Sequence, residues 1–311
     1  MSSTVRPTAC SPFFRPSAVP LAQRVYHLFA GVDRTNALNC TEDSSRATRD
    51  LAFELKQAIN AIKLDAFDEE TGAVNYRRLK TSPAYQSYRQ TTRRLQTFPL
   101  RSLKTLEERL AFWINLYNIL IVDAVIHFGV EATVHEVRGF FVKAAYIIDG
   151  LRFSADDIEH GILRANAGNP AIPGPQFRFH DPRFALVVSQ VDPRIHFTLV
   201  CASESCPPVG IYSPEQLDQQ LDLAAHNFIN GGEVRVDLER NEVHLSRIFQ
   251  WYAPDFGGNV LNQIGRGSFR NVLAYIARYI ADDEAQQALF HHPDRFKVRF
   301  NKYDWGLNLV A

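Results

Sequence analysis

Cysteine is scarce in this chain: four residues, Cys10, Cys40, Cys201 and Cys206, among 311. That is too few for a disulfide scaffold at this length, so reduced thiols are expected. A charge excess of either sign is also missing, with 34 Lys+Arg against 34 Asp+Glu. Nucleic acid and anionic membrane surfaces, which select basic proteins, are thereby excluded as expected partners. No apolar run is clean enough to span a bilayer, because Leu110 to Phe128 carries Asn115, Asn118, Asp123 and His127. Met1 to Ala30 lacks the apolar segment of a secretory signal, and a cytoplasmic location is expected. Acidic residues are absent before Asp33, while Arg6, Arg15 and Arg24 precede it. That composition also fits organelle targeting through residues 1–30, or a disordered tail over 1–20 punctuated by Pro7, Pro12, Pro16 and Pro20.

The chain's organising stretch is Glu107 to Gly129, EERLAFWINLYNILIVDAVIHFG. Its pattern is apolar on nearly every side, as in a helix buried all round. Asn115 and Asn118, three apart, project from one face. A buried carboxamide needs hydrogen-bond partners, so something polar must face this helix. Around it the sequence predicts helices over Arg46–Asp65 and over Tyr76–Leu95, the latter interrupted at Pro83. Asp149-Gly150 marks a hairpin between Phe140–Ile148 and Leu151–Phe153. Ser154 is placed to cap the helix SADDIEHGILRA, and Ser213-Pro214 to start another through Ile229. RIHFTLVC, at Arg194 to Cys201, reads as a strand. Glu233–Leu238 and Glu242–Leu245 form a second hairpin, and Lys297–Asn301 a last strand. With no regular βαβ rhythm and no repeat, the fold class is α+β, mostly helical, with a buried central helix packed against a small antiparallel sheet of hairpins. Residues 21–100 form an N-terminal helical region and 101–311 the core.

Five stretches resemble the DUF547 family, a domain of unknown function: LAFWINLYN (110–118), DIEHGILR (157–164), DPRIHFTLVCASESCPP (192–208), WYAPDFG (251–257) and YDWGLN (303–308). Their order and spacing match from near Val74 to the C-terminus. The resemblance implies family membership without a defined activity; family members occur beside glutaredoxin-like and other modules. Plant members often carry Ser or Asp at the position of Cys206, which implies that a thiol is not obligatory across the family.

His196, Cys201 and Cys206 are spaced by five and five. Zinc sites use Cys-x-x-Cys pairs and a fourth ligand, which this spacing does not supply, so no metal or cofactor is expected. On a continuous strand His196 and Cys201 point to opposite faces, and Cys201 fits a small core position. Cys206, past the strand end in a Ser-rich turn before two prolines, is the candidate nucleophile. His160 and His196 are the candidate bases. Glu159 accompanies His160, and Asp156 lies four residues before it. Asn115 or Asn118 would orient the histidine or donate to an oxyanion. The expectation is a thiol-dependent hydrolase or acyl transferase with a Cys-His-Asn type site, acting on a small molecule or peptide. The alternative is a non-catalytic ligand- or protein-binding module. Asp255 and Asp304, in aromatic-rich turns, are expected to bond local backbone.

Overall fold

The computed structural model describes residues 19–40, 47–48, 50–68 and 71–310. Most of the tail expected over 1–20, together with Cys10 and Glu69-Glu70, lies outside the described residues. The chain divides into two compact units that do not follow sequence order. One comprises residues 1–189, 200–215 and 305–311, the other residues 190–199 and 216–304. The architecture is α+β and mostly helical, with small sheets of two and three strands.

The first unit holds α1 (Leu21–Ala30), α2 (Leu51–Ala66), α3 (Tyr76–Thr81), α4 (Pro83–Arg93), α5 (Leu106–Phe128), the single turn α6 (Phe140–Lys143), and strands β1 (Ala145–Ile148) and β2 (Leu151–Ser154). In α2 the stripe Leu51, Leu55, Ile59 and Ile62 is buried, the helical periodicity that the sequence displays. Ser82 ends α3 and caps α4, its Oγ accepting the Tyr85 amide at 3.1 Å with Pro83 in the first helical position. Asp149 (φ 49°) and Gly150 (φ 72°) both adopt left-handed backbone, the requirement of a two-residue hairpin turn between β1 and β2.

Helix α5 starts at a capping box between Thr105 and Glu108 and stops at Gly129 in the left-handed region. It is long and apolar enough to cross a membrane by length and composition, yet Leu110 through Val125 are buried inside the unit. Helices α2 and α3 pack on it, and its Trp113 ring lies 5.0 Å from that of Phe153 on β2. Its one buried acid, Asp123, is fully enclosed. The carboxylate accepts Tyr85 Oη at 2.5 Å, Tyr146 Oη at 2.6 Å and the Arg89 guanidinium at 2.6 Å. A charge taken out of water persists only with such compensation.

The second unit holds α7 (Leu217–Phe228), β3 (Val234–Asp237), β4 (Glu242–Leu245), the one-turn helices α8 (Ile248–Trp251) and α9 (Val260–Gln263), α10 (Arg270–Ile276), α11 (Asp283–His291) and β5 (Lys297–Phe300). β3 and β4 form the expected hairpin; β5 joins β4 in parallel, so this sheet is mixed rather than antiparallel. Its core gathers Phe197, Phe228, Phe249 and Phe256.

Two expectations are corrected. RIHFTLVC is not a strand: Pro193–Phe197 is a 3-10 turn. Asp192 accepts the Arg194 amide, Pro193 occupies the first turn, and these local signals outweigh the β-branched composition that follows. The face-alternation argument separating His196 from Cys201 therefore does not apply. The helix expected from Ser213-Pro214 also differs at its start: it opens as a 3-10 turn at Pro214–Gln216 and α7 begins at Leu217, while the Ser213 hydroxyl receives the Lys56 ammonium.

Candidate active site

The polar residues of α5 each hold a different part of the first unit. Asn115 Nδ2 donates to the Tyr212 carbonyl at 2.8 Å, and its Oδ1 accepts the Tyr212 amide at 2.8 Å. One carboxamide thus satisfies both backbone groups of a single residue, as a neighbouring strand would. Asn118 Oδ1 accepts the Val200 amide at 3.0 Å, immediately before Cys201. Tyr117 Oη donates to Glu159 Oε2 at 2.8 Å. The polar material expected opposite this helix is therefore the backbone at 200 and 212 and the carboxylate of Glu159. Asn115 acts there as a backbone tie, with both ends of its carboxamide engaged.

Glu159 and His160 lie on the turn Asp157–Leu163, expected as an α-helix but wound as a π-helix. Amides reach five residues back, Arg164 N to Glu159 O and Asn166 N to Gly161 O, both at 2.9 Å. Gly161 permits the widened turn to seat on Phe177, since a Cβ there would sit 2.3 Å from the ring. Such π-turns cost helix geometry and recur at functional sites. Ser154 caps the segment as expected, its Oγ accepting the Asp157 amide at 3.1 Å. Burial opposes the Asp157 charge, but Arg183 at 3.0 Å, the Ser154 amide and Gln176 hold this carboxyl well below the usual range.

Asp156, Glu159, His160 and Arg164 are all buried, none more than 8 % exposed. The Asp156–His160 pairing expected from their spacing is present, Nε2 to Oδ1 at 3.8 Å, and inside the protein rather than on its surface. Arg164 Nη1 lies 3.2 Å from His160 Nδ1. A guanidinium only donates, so Nδ1 accepts and the ring proton resides on Nε2, facing Asp156. Glu159 Oε1 is 3.6 Å from Nδ1. Burial, then the nearby Glu159 carboxylate, push the Asp156 carboxyl up to about 7. A carboxyl that titrates near neutrality, beside an imidazole, is suited to proton transfer.

Cys206 is not the free thiol expected: it is disulfide-bonded to Cys201, with Cα atoms 6.3 Å apart. Cys40 is disulfide-bonded as well, so the expectation of reduced thiols is corrected. The cause is local. Without a strand at 194–201, and with Ala202 in the left-handed region (φ 64°), the loop turns back so that the two sulfurs meet. Cys201 is accordingly half-buried rather than a core residue. Cys206 Sγ accepts the Cys201 amide at 2.9 Å and the Ser203 hydroxyl at 3.4 Å. The C-terminal segment clamps the loop: Glu204 N donates to Gly306 O at 2.8 Å and Asn308 N to Ala202 O at 3.1 Å. The tail motif at 306–308 thus positions the cysteine loop.

His196 belongs to the second unit. Its Nε2 lies 2.8 Å from Asp255 Oδ2, its ring stacks on Tyr252 at 4.1 Å, and both members of the pair are buried. Asp255 was expected to serve local backbone. Its engagement of an imidazole 59 residues away had no signal in the spacing. Among the described residues no group of three or more His, Cys, Asp or Glu side chains has the geometry to hold a metal ion. The first unit also carries a cavity of about 420 Å³, with Phe53, Leu55, Ile59, Ala111 and Phe112 as apolar lining and Lys56 and Glu108 among its charged residues.

Compared with known proteins, residues 100–229 match the family model described as "Protein of unknown function, DUF547". The match takes in α5, the π-turn and the cysteine loop, and ends short of the motifs at 251–257 and 303–308. No curated protein and no solved structure matches the chain.

Proposed function

Residues 100–229 match the DUF547 family model, whose description defines no activity, and we propose from the site's geometry that the chain is a thiol-dependent hydrolase or acyl transferase with Cys206 as nucleophile in the reduced protein. The observation that carries this is the pair of donors on Cys206 Sγ, the Cys201 amide and the Ser203 hydroxyl. A thiolate, not a thiol, attacks an acyl carbon, and donors aimed at the sulfur favour the anion. The proton acceptor in this reading is the His160–Asp156–Glu159 cluster, where Asp156 titrates near neutrality. Asn118 supports the nucleophile by holding Val200, and Tyr117 supports the cluster by holding Glu159. The sulfur adds to the carbonyl carbon of an ester or amide. The leaving group departs with a proton from the cluster, and water or a second acceptor then releases the acyl group.

A second reading, a non-catalytic binding module, is favoured by the cavity beside Phe53 and Phe112, whose size suits a small molecule.

The test is iodoacetamide labelling of the fully reduced chain across pH 5–10, read by mass spectrometry, with a generic aryl ester as acyl probe. Cys206 should be half-labelled at a pH clearly below the ordinary thiol value of ~8.5. Cys206→Ala should abolish ester turnover, and Asp156→Asn should slow it. Ordinary titration of Cys206, with turnover retained in Cys206→Ala, would leave the binding module as the surviving reading.

A further inference from the structure

Helix α1 is amphipathic with its faces reversed. Leu21, Val25, Leu28 and Phe29 form one stripe along it. That stripe faces solvent, with Leu28 81 % and Phe29 72 % exposed, while Gln23 and His27 on the opposite face are buried. The orientation is held from the polar side. Gln23 Nε2 donates to Gln176 Oε1 at 3.0 Å, and Gln176 Nε2 donates in turn to Asp157 Oδ1 at 3.1 Å. Arg34 donates to His27 Nδ1 at 2.6 Å. Ala30 seats against Gly139, where a Cβ would come within 2.6 Å. Rolling the helix to bury its leucines would break these bonds and leave buried polar groups unpaired. Four large apolar side chains on one exposed face, fixed there by bonded partners beneath, mark an interaction surface.

We propose that this face docks α1 onto an anionic lipid bilayer, the helix lying in the plane of the interface with its apolar stripe among the upper acyl chains. Charge selects this occupant. Residues 1–32 contain Arg6, Arg15 and Arg24 and no acidic residue. They hold three of the 34 Lys+Arg and none of the 34 Asp+Glu, so the remainder of the chain carries an acidic excess of three. The zero net charge thus conceals a basic segment, and the exclusion of anionic membranes drawn from overall composition does not reach it. Arg24 is exposed and lies at the edge of the stripe beside Leu28, four residues on. The first carboxylate, Asp33, comes three residues after the helix and is taken up by the Thr35 amide and hydroxyl. An apolar stripe with a basic flank is the arrangement of a helix that lies on a membrane rather than across it. At ten residues α1 is about 15 Å long, too short to span. A second copy suits the face less well. Pairing stripe to stripe sets Arg24 against its own copy, and a helix face about 15 Å by 10 Å falls far below the ~800 Å² per partner of a stable complex. The apolar side chains supply insertion and the arginines supply attraction to anionic headgroups, so binding needs both. Cys206 takes no part in it.

The experiment sediments the full-length chain with vesicles of phosphatidylcholine, with and without phosphatidylserine, at low and high salt. Binding to the anionic vesicles is expected at least tenfold above that to the neutral ones, with the difference removed by salt. The double substitution Leu28→Ser, Phe29→Ser should lower binding to the anionic vesicles at least tenfold, and Arg24→Gln several-fold. Leu28 and Phe29 are exposed, so the urea midpoint of the double variant should stay at the parent value. Leu64→Ser, at a comparably exposed leucine of α2, should leave binding unchanged. Leu28→Trp gives a positive readout: relative to the parent, its emission should shift to the blue on anionic vesicles and be quenched by brominated acyl chains. No binding to either vesicle, or binding that survives the double substitution, overturns the proposal. So does a concentration-dependent dimer, seen by sedimentation without vesicles, that the double substitution dissolves; that result would assign the stripe to a second copy.

Discussion

Asp156 makes the cluster's chemistry measurable without a substrate. Its carboxyl is buried beside Glu159, with His160 Nε2 at 3.8 Å and the Asn169 amide at 3.2 Å, and it keeps its proton to about pH 7. In the unfolded chain the same group ionises at its ordinary value, 3.8. Between those values the folded state holds a proton that the unfolded state has lost. Stability from this group is therefore fully present below pH 4 and declines as pH rises to 7, with no further change above. At 1.36 kcal/mol per pH unit the decline amounts to roughly 4 kcal/mol. Asp156→Asn keeps the shape and an acceptor for Asn169 but cannot ionise. In urea unfolding from pH 4 to pH 8 the variant should gain on the parent by roughly 4 kcal/mol over that range. Titrations of groups not coupled to Asp156 cancel in the difference. Parallel curves would show that Asp156 is already ionised in the fold, and would remove the proton-transfer role assigned to it.

Asp123→Asn should destabilise by about 3–5 kcal/mol, because Arg89 loses its counter-charge and one of two tyrosine hydroxyls meets an amide instead of a carboxylate; chemical denaturation checks it. Tyr117→Phe should cost about 1.5–3 kcal/mol, the loss of a buried bond to a carboxylate, and should leave the Cys206 labelling pH unmoved if the two parts of the site are positioned separately. Asn115→Leu, isosteric but unable to bond, should cost at least about 2 kcal/mol by leaving the Tyr212 amide and carbonyl unpaired, with faster amide exchange at Tyr212 as the local readout. Asp255→Ala leaves His196 Nε2 without its carboxylate and should cost about 1–3 kcal/mol, read as a lowered urea midpoint.

How far the sequence carried depends on whether each feature is local. Helix α5 was legible because an unbroken apolar run with two carboxamides has one stable solution, burial with the amides bonded, and Gly129 marks its end. The Asp149-Gly150 hairpin and the Ser154 cap were legible for the same reason, since the turn chemistry lies within four residues. The 3-10 turn at Pro193–Phe197 was also written locally, in Asp192-Pro193, but β-branched residues downstream outweighed it in the pattern. From that one misplaced strand the wrong picture of Cys201 followed, because strand parity set it opposite His196 and made it a small core residue rather than half of a disulfide. Gly161 carried a signal as well: an isolated glycine inside a helical pattern marks close packing, here against Phe177. What no spacing encodes is the partner of each carboxamide. Asn115 and Asn118 were paired by their shared face, yet one holds Tyr212 and the other Val200. That divergence explains why an apolar helix carries them at all. Each fixes the backbone of a separate segment on one rigid rod, so the loops at 200 and 212 take their positions from α5.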